Sequence, residues 1–126
     1  SLSPAADLYV NGAVEASFHA PMKAAVLYRR AVALDPALLP ARAGLVETLS
    51  VLGRSREALQ HVNILRATPA RSAADACRVA DAVVLLAPEH RIPDECTLAR
   101  MDAHLRDWDA RGALRAIALL DGRPLG

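Results

Sequence analysis

The sequence predicts an all-α domain of about seven helices, and three observations predict it. Apolar residues recur at helical intervals along most of the chain. Proline and glycine interrupt those stripes often enough to end one helix and open the next. The apolar fraction, 53%, is carried by Ala, Leu and Val, while aromatics supply only 3%. Small side chains let helices approach closely, whereas β-sandwiches lean on branched and aromatic ones. No segment reads as a strand. A chain of 126 residues is the size of one domain and buries roughly two-thirds of its unfolded surface.

Each helix has a start, a stripe and a stop. Pro4 sets up the first, over about 5–18, which carries Leu8, Gly12 and Val14. Pro21 suits the first turn of the second, where its missing N–H costs little. That helix holds Ala24, Leu27, Tyr28, Ala31 and Leu34 on one face, and Asp35-Pro36 stops it. The third, over about 38–52, has Pro40 in its first turn and Leu38, Leu45, Leu49 and Leu52 as its stripe. Gly53 is a natural C-terminal stop, and Ser55 is placed to cap the fourth helix. Ala58, Leu59, Val62 and Leu65 line that helix until Thr68-Pro69.

Ser72 or Asp75 starts a fifth helix, with Cys77, Ala80, Val84 and Ala87 down one side. The stretch from Ala87 to Pro93 breaks it, a longer gap than the earlier turns. A sixth helix is expected over 94–107, using Leu98, Met101 and Leu105. The seventh begins near Asp109 and buries Leu114, Ile117 and Leu120 before Gly122-Arg123-Pro124.

Two stretches repeat in phase. Ala24, Tyr28, Ala31 and Pro36, preceded by Gly12, form one pattern; Leu45, Gly53, Ala58 and, one place early, Pro69 form a second. Ala24 and Ala58 lie one repeat length apart, as do Gly12 and Val46. On these residues the chain resembles the tetratricopeptide repeat. The resemblance covers 5–69 well and 72–107 weakly. It departs where the family places a large aromatic early in the first helix, since Leu8 and Arg42 stand there. The first turn glycine is replaced near His19-Ala20, and Val62 and Leu65 replace an aromatic and a small residue.

The resemblance implies a solenoid of antiparallel helical hairpins in one domain spanning 1–126. Its parts are repeat one at 5–37, repeat two at 38–70, a degenerate repeat at 72–107 and a capping helix at 109–121. It also implies a concave groove built by the first helix of each pair. Carried over residue by residue, that groove comprises Tyr9, Ala13, Ala16 and Ser17, then Ala43, Glu47, Ser50 and Val51, then Ala76, Ala80 and Val83. The surface is shallow, small and mostly apolar. Members that grip a chaperone's C-terminal carboxylate use Lys, Asn and Arg there. This chain has Tyr9, Ala13 and Gly44, so that clamp is missing. On this placement Ala80→Arg is expected to abolish partner binding while leaving the fold intact.

Other chemistry is poorly supported. The net charge of +1 draws the protein toward neither nucleic acid nor anionic membrane. Arg54, Arg56, Arg66, Arg71 and Arg78 cluster in sequence as a possible basic strip, against the plainer reading of solvated arginines. Without interleaved aromatics the strip does not suggest single-stranded nucleic acid. His90, Cys96 and His104 match no zinc spacing, so no metal or cofactor is expected. Cys77 and Cys96 read as reduced, helix-borne small hydrophobes. There is no phosphate loop, nucleophile elbow or His-Glu-x-x-His motif, and enzyme activity is not expected. Trp108 reads as closing the C-terminal end of the core or as an interface anchor.

The expected function is that of a protein–protein interaction module, or adaptor, burying a partner segment in the apolar groove. The resemblance offers two settings: a small chaperone of a secretion system, or the repeat part of a larger bacterial regulator or assembly. The alternative is a structural unit whose groove is covered by its own copy or its C-terminal helix. No signal-peptide pattern or membrane span is visible, which points to the cytoplasm.

Overall fold

The computed structural model describes residues 2–106 and 117–122, with side chains at 2–101 and 117–122. Every regular element among them is helical: α1 (Pro4–Ser17), α2 (Pro21–Leu34), α3 (Leu39–Val51), α4 (Ser55–Ala67), α5 (Ala73–Val83) and α6 (Asp94–Arg106). Residues 117–121 are also helical, the described end of the expected seventh helix. The remainder of that helix, with Trp108, lies outside the described residues. Contacts divide the chain into two compact units, 1–90 and 91–126. The division falls in the long break that the sequence marks after Ala87.

The helix ends follow local chemistry. Ser3 caps α1, its hydroxyl accepting from the Ala6 N–H at 3.1 Å, with Pro4 at the first helical position. Asp35 ends α2 and folds its carboxylate onto the Ala37 N–H at 3.1 Å, so the Asp-Pro stop is a side-chain-capped turn. Ser72 caps α5 by accepting from Asp75 N–H. Ser55 does not cap α4; it is the first helical residue, and Arg54 precedes it with no side-chain cap. Gly53 takes φ +75° directly after α3, a left-handed stop that suits glycine. At the α1–α2 turn the same left-handed region is occupied by His19, with φ +58°.

Within residues 1–90 the helices pack in sequence, α1 on α2, α2 on α3, α3 on α4 and α4 on α5. In addition α1 touches α3, and α3 packs broadly on α5, so the odd-numbered helices adjoin along one side. Two hydrophobic clusters result. One joins Ala24, Ala25, Tyr28, Leu45, Leu49 and Ala58; the other joins Leu39, Ala43, Val46, Val62, Leu65, Ala82, Val83 and Ala87. Helix α3 feeds both, and from Ala41 to Val46 it is buried without interruption. The expected stripes hold at Ala24, Tyr28, Ala31, Leu45, Leu49, Ala58, Val62 and Leu65. Leu34 and Leu59 depart from them and stand exposed, as do Leu98 of the expected sixth stripe and Ile117 and Leu120, which the seventh was expected to bury.

Tyr28 is the residue around which the first three helices close. An added Cβ at Gly12 on α1 would lie 2.8 Å from its ring, and one at Gly44 on α3 would lie 2.7 Å away. Both glycines therefore work by having no side chain, letting two helix backbones press against one buried aromatic. Tyr9 leans on the same ring, with centroids 6.0 Å apart and planes at 35°.

Candidate functional site

The side formed by α1, α3 and the start of α2 opens into a cavity of about 400 Å³. Tyr28 and Gly44 form its base; Ala13, Ala16, Pro21 and Val51 form apolar walls; His19, Glu47, Thr48 and Arg78 add the polar groups. Thr48 is already satisfied, donating to the Gly44 carbonyl at 2.7 Å. Arg78, from α5, is ion-paired with Glu47 on α3. Burial disfavours its charge, but Glu47 and, behind it, Tyr9 outweigh that and raise its pKa above the ordinary arginine value. The cavity thus has an apolar bed and a zwitterionic edge. The Tyr28 phenol is held protonated, first by burial and then by Tyr9 beside it, so it contributes no charge.

Of the expected groove residues, Ala13, Ala16, Glu47 and Val51 line this cavity, and Tyr9 flanks its base. Ser17 is exposed at the end of α1, where its hydroxyl donates to the Val14 carbonyl, and Ser50 likewise donates to Val46. Ala76 is half-buried on α5. Three expectations fail. Ala43 and Val83 lie in the second hydrophobic cluster and Ala80 is 2% exposed, so none of the three lines a groove. The reason is the broad packing of α3 on α5, which takes those faces for the interior.

The basic strip also divides. Arg54, Arg56 and Arg71 are exposed, and Arg66 sits 3.7 Å from Glu89. Arg78 does not join them, because it turns into the cavity edge. Arg78 lies on α5, one turn from buried Ala82, whereas the other four lie on α4 or its flanking turns.

A second polar arrangement, missed by sequence reasoning, binds the hairpins on another side. Arg29 on α2 clamps Glu57 on α4 through two hydrogen bonds of 3.0 and 2.8 Å. Arg42 is only 7% exposed and meets His61 Nδ1 through Nη1 at 2.8 Å, while its Nε is buried with no hydrogen-bond partner. A guanidinium offers no acceptor, so His61 must present an unprotonated Nδ1.

This arrangement makes stability depend on pH. Burial first, and then the Arg42 charge, lower the His61 pKa below its ordinary 6.5, with Glu57 opposing. The unfolded chain therefore binds more protons below that value. Stability present above about pH 6.5 is lost as pH falls through the lower folded pKa. The Glu57 carboxylate, held below its ordinary 4.5 chiefly by the Arg29 hydrogen bond, adds a further loss in more acid solution. Thermal melts from neutral pH to about pH 2 are expected to show the upper loss first and the Glu57 loss only below about pH 4.5. In His61→Gln the upper one disappears, and a wild-type melting temperature unchanged until carboxylates titrate would contradict the assignment.

Neither cysteine is a free thiol: Cys77 and Cys96 are both disulfide-bonded, against the expectation of reduced side chains. Among the described residues no three or more His, Cys, Asp or Glu side chains gather as a metal site. No described helix is long and apolar enough to cross a membrane. Comparison with known protein families, curated proteins and solved structures finds no match to this chain.

Proposed function

We propose that residues 1–90 are a tetratricopeptide-type binding module whose α1–α3 face takes a short segment of another polypeptide. The observation that carries this reading is the apolar-walled cavity of about 400 Å³. Its volume falls in the range of small binding clefts, roughly 300–1,000 Å³. The walls ask for aliphatic side chains. The Glu47–Arg78 pair at the edge offers an acceptor and donors to a partner backbone without imposing net charge. A segment that is extended or helical and rich in Leu, Ile or Val fits both requirements. An adaptor or small chaperone is the role most consistent with such a site, and no group of side chains along it is arranged for covalent or acid–base chemistry. Two oxidised cysteines suit an oxidising compartment better than a reducing cytoplasm, so the cytoplasmic expectation is not carried forward.

Val51 is the residue for the test, because it lines the cavity and is 75% exposed, so its replacement leaves the interior alone. Fluorescence polarisation with a panel of aliphatic-rich peptides and their Ser/Gly-substituted counterparts is expected to select the aliphatic ones. Val51→Glu should weaken the selected peptides by about tenfold or more with unchanged helicity. Equal binding of both peptide classes, or full binding by Val51→Glu, would remove the reading.

A further inference from the structure

The first hairpin carries a second set of exposed apolar residues, none of which lines the cavity. Val10, Val14 and Phe18 run along α1 at helical spacing, and Met22 and Val26 are exposed apolar residues four apart on α2. All five are exposed, Phe18 at 77%. One repeat length on from Val10, Val14 and Phe18 stand Gly44, Thr48 and Leu52. Those three face the first hairpin: Gly44 meets the Tyr28 ring, Thr48 is buried, and Leu52 packs on the Tyr28 cluster. The α1 stripe therefore occupies the position that, on α3, docks against a neighbouring hairpin. Lys23 repeats the relation, since one repeat length on stands Glu57, which clamps Arg29 of the neighbouring helix.

Charge indicates what covers this face. Helix α1 carries Asp7 and Glu15 and no basic residue; α2 carries Lys23, Arg29 and Arg30 and no acidic one. Asp7, Glu15, Lys23 and Arg30 enter no ion pair among the described residues. A hairpin with one acidic and one basic helix is complementary to itself when turned about a two-fold axis, α1 of one copy over α2 of the other. Such a contact is isologous, so every favourable pair occurs twice.

We propose that this face binds a second copy of this chain, forming a symmetric dimer through α1 and α2. Each 14-residue helix is about 21 Å long and about 10 Å wide, so the two present a footprint of about 400 Å² per copy. That is a small interface, and the dimer should assemble at micromolar rather than nanomolar concentration. The inference stands apart from the cavity reading, since the two surfaces share no residue.

Sedimentation velocity of the full chain across a concentration series tests it. Wild type is expected to pass from monomer to dimer. Val14→Glu should shift the midpoint upward by about tenfold or more, because the two-fold axis repeats each introduced charge. Lys23→Glu with Arg30→Glu should weaken the dimer as well, and adding Asp7→Lys with Glu15→Lys should restore it by exchanging the two signs. Val51→Glu, in the cavity, should leave it unchanged. Far-UV circular dichroism shows that each variant is folded. A monomer at every concentration, a dimer indifferent to Val14→Glu, or one broken by Val51→Glu instead would each overturn the proposal.

Discussion

Gly44→Ala is expected to destabilise residues 1–90 by about 1–3 kcal/mol, the usual cost of one methyl too many in a packed interior. The added Cβ would stand 2.7 to 3.0 Å from three atoms of the Tyr28 ring. Alanine's better helix propensity returns about 1 kcal/mol, so the observed loss is a net figure. The ring has little room to retreat, because Gly12 closes on the same edge from α1. Chemical denaturation of Gly44→Ala, Tyr28→Leu and the double variant checks the cause. With the ring gone, the alanine should cost nothing or become stabilising, so the two changes should be strongly non-additive. Additive losses would show that Gly44 matters for some reason other than Tyr28.

Ala80→Arg is expected to unfold the protein or cost about 3–5 kcal/mol, the penalty for an uncompensated charge in the interior. The sequence reading placed Ala80 in the groove and expected the opposite outcome, loss of binding with the fold intact. At 2% exposure Ala80 has no room for a guanidinium and no water to solvate it. Circular dichroism and a thermal melt decide between the two, and a native-like melt would return Ala80 to the surface. Set beside Val51→Glu, which alters an exposed cavity residue, the pair separates damage to the core from damage to the site.

These outcomes mark where sequence was legible. Helix positions were readable because Pro4, Pro21, Asp35-Pro36, Gly53 and Ser72 act locally, through fixed φ, missing donors or a capping oxygen. Ala24, Tyr28 and Ala58 were readable as core because a single helical face suffices to bury them. The groove was half legible. Tyr9, Ala13, Ala16, Glu47 and Val51 depend on α1 and α3 lying side by side, which the repeat interval implies. Ala43, Ala80 and Val83 depend on how far α5 presses onto α3, and no pattern in either helix states that. Arg78 shows the same limit. A charge read along the chain joined its neighbours on α4, while the pairing of α5 with α3 brought it to Glu47. Arg42 and His61 escaped notice because neither is unusual alone; their meaning comes from one burying the other's charge.

Helix α3 carries a consequence for how this protein comes apart. Helical domains whose interior is divided among separate helix pairs can lose structure piece by piece. Here Leu45 and Leu49 belong to one cluster and Leu39, Ala43 and Val46 to the other, all within thirteen residues of a single helix. Neither cluster can be dissolved while α3 stays folded, and α3 has almost no face of its own to offer water. Helix α3 is thus the centre of both clusters, and residues 1–90 should open as one cooperative unit rather than fray from an end.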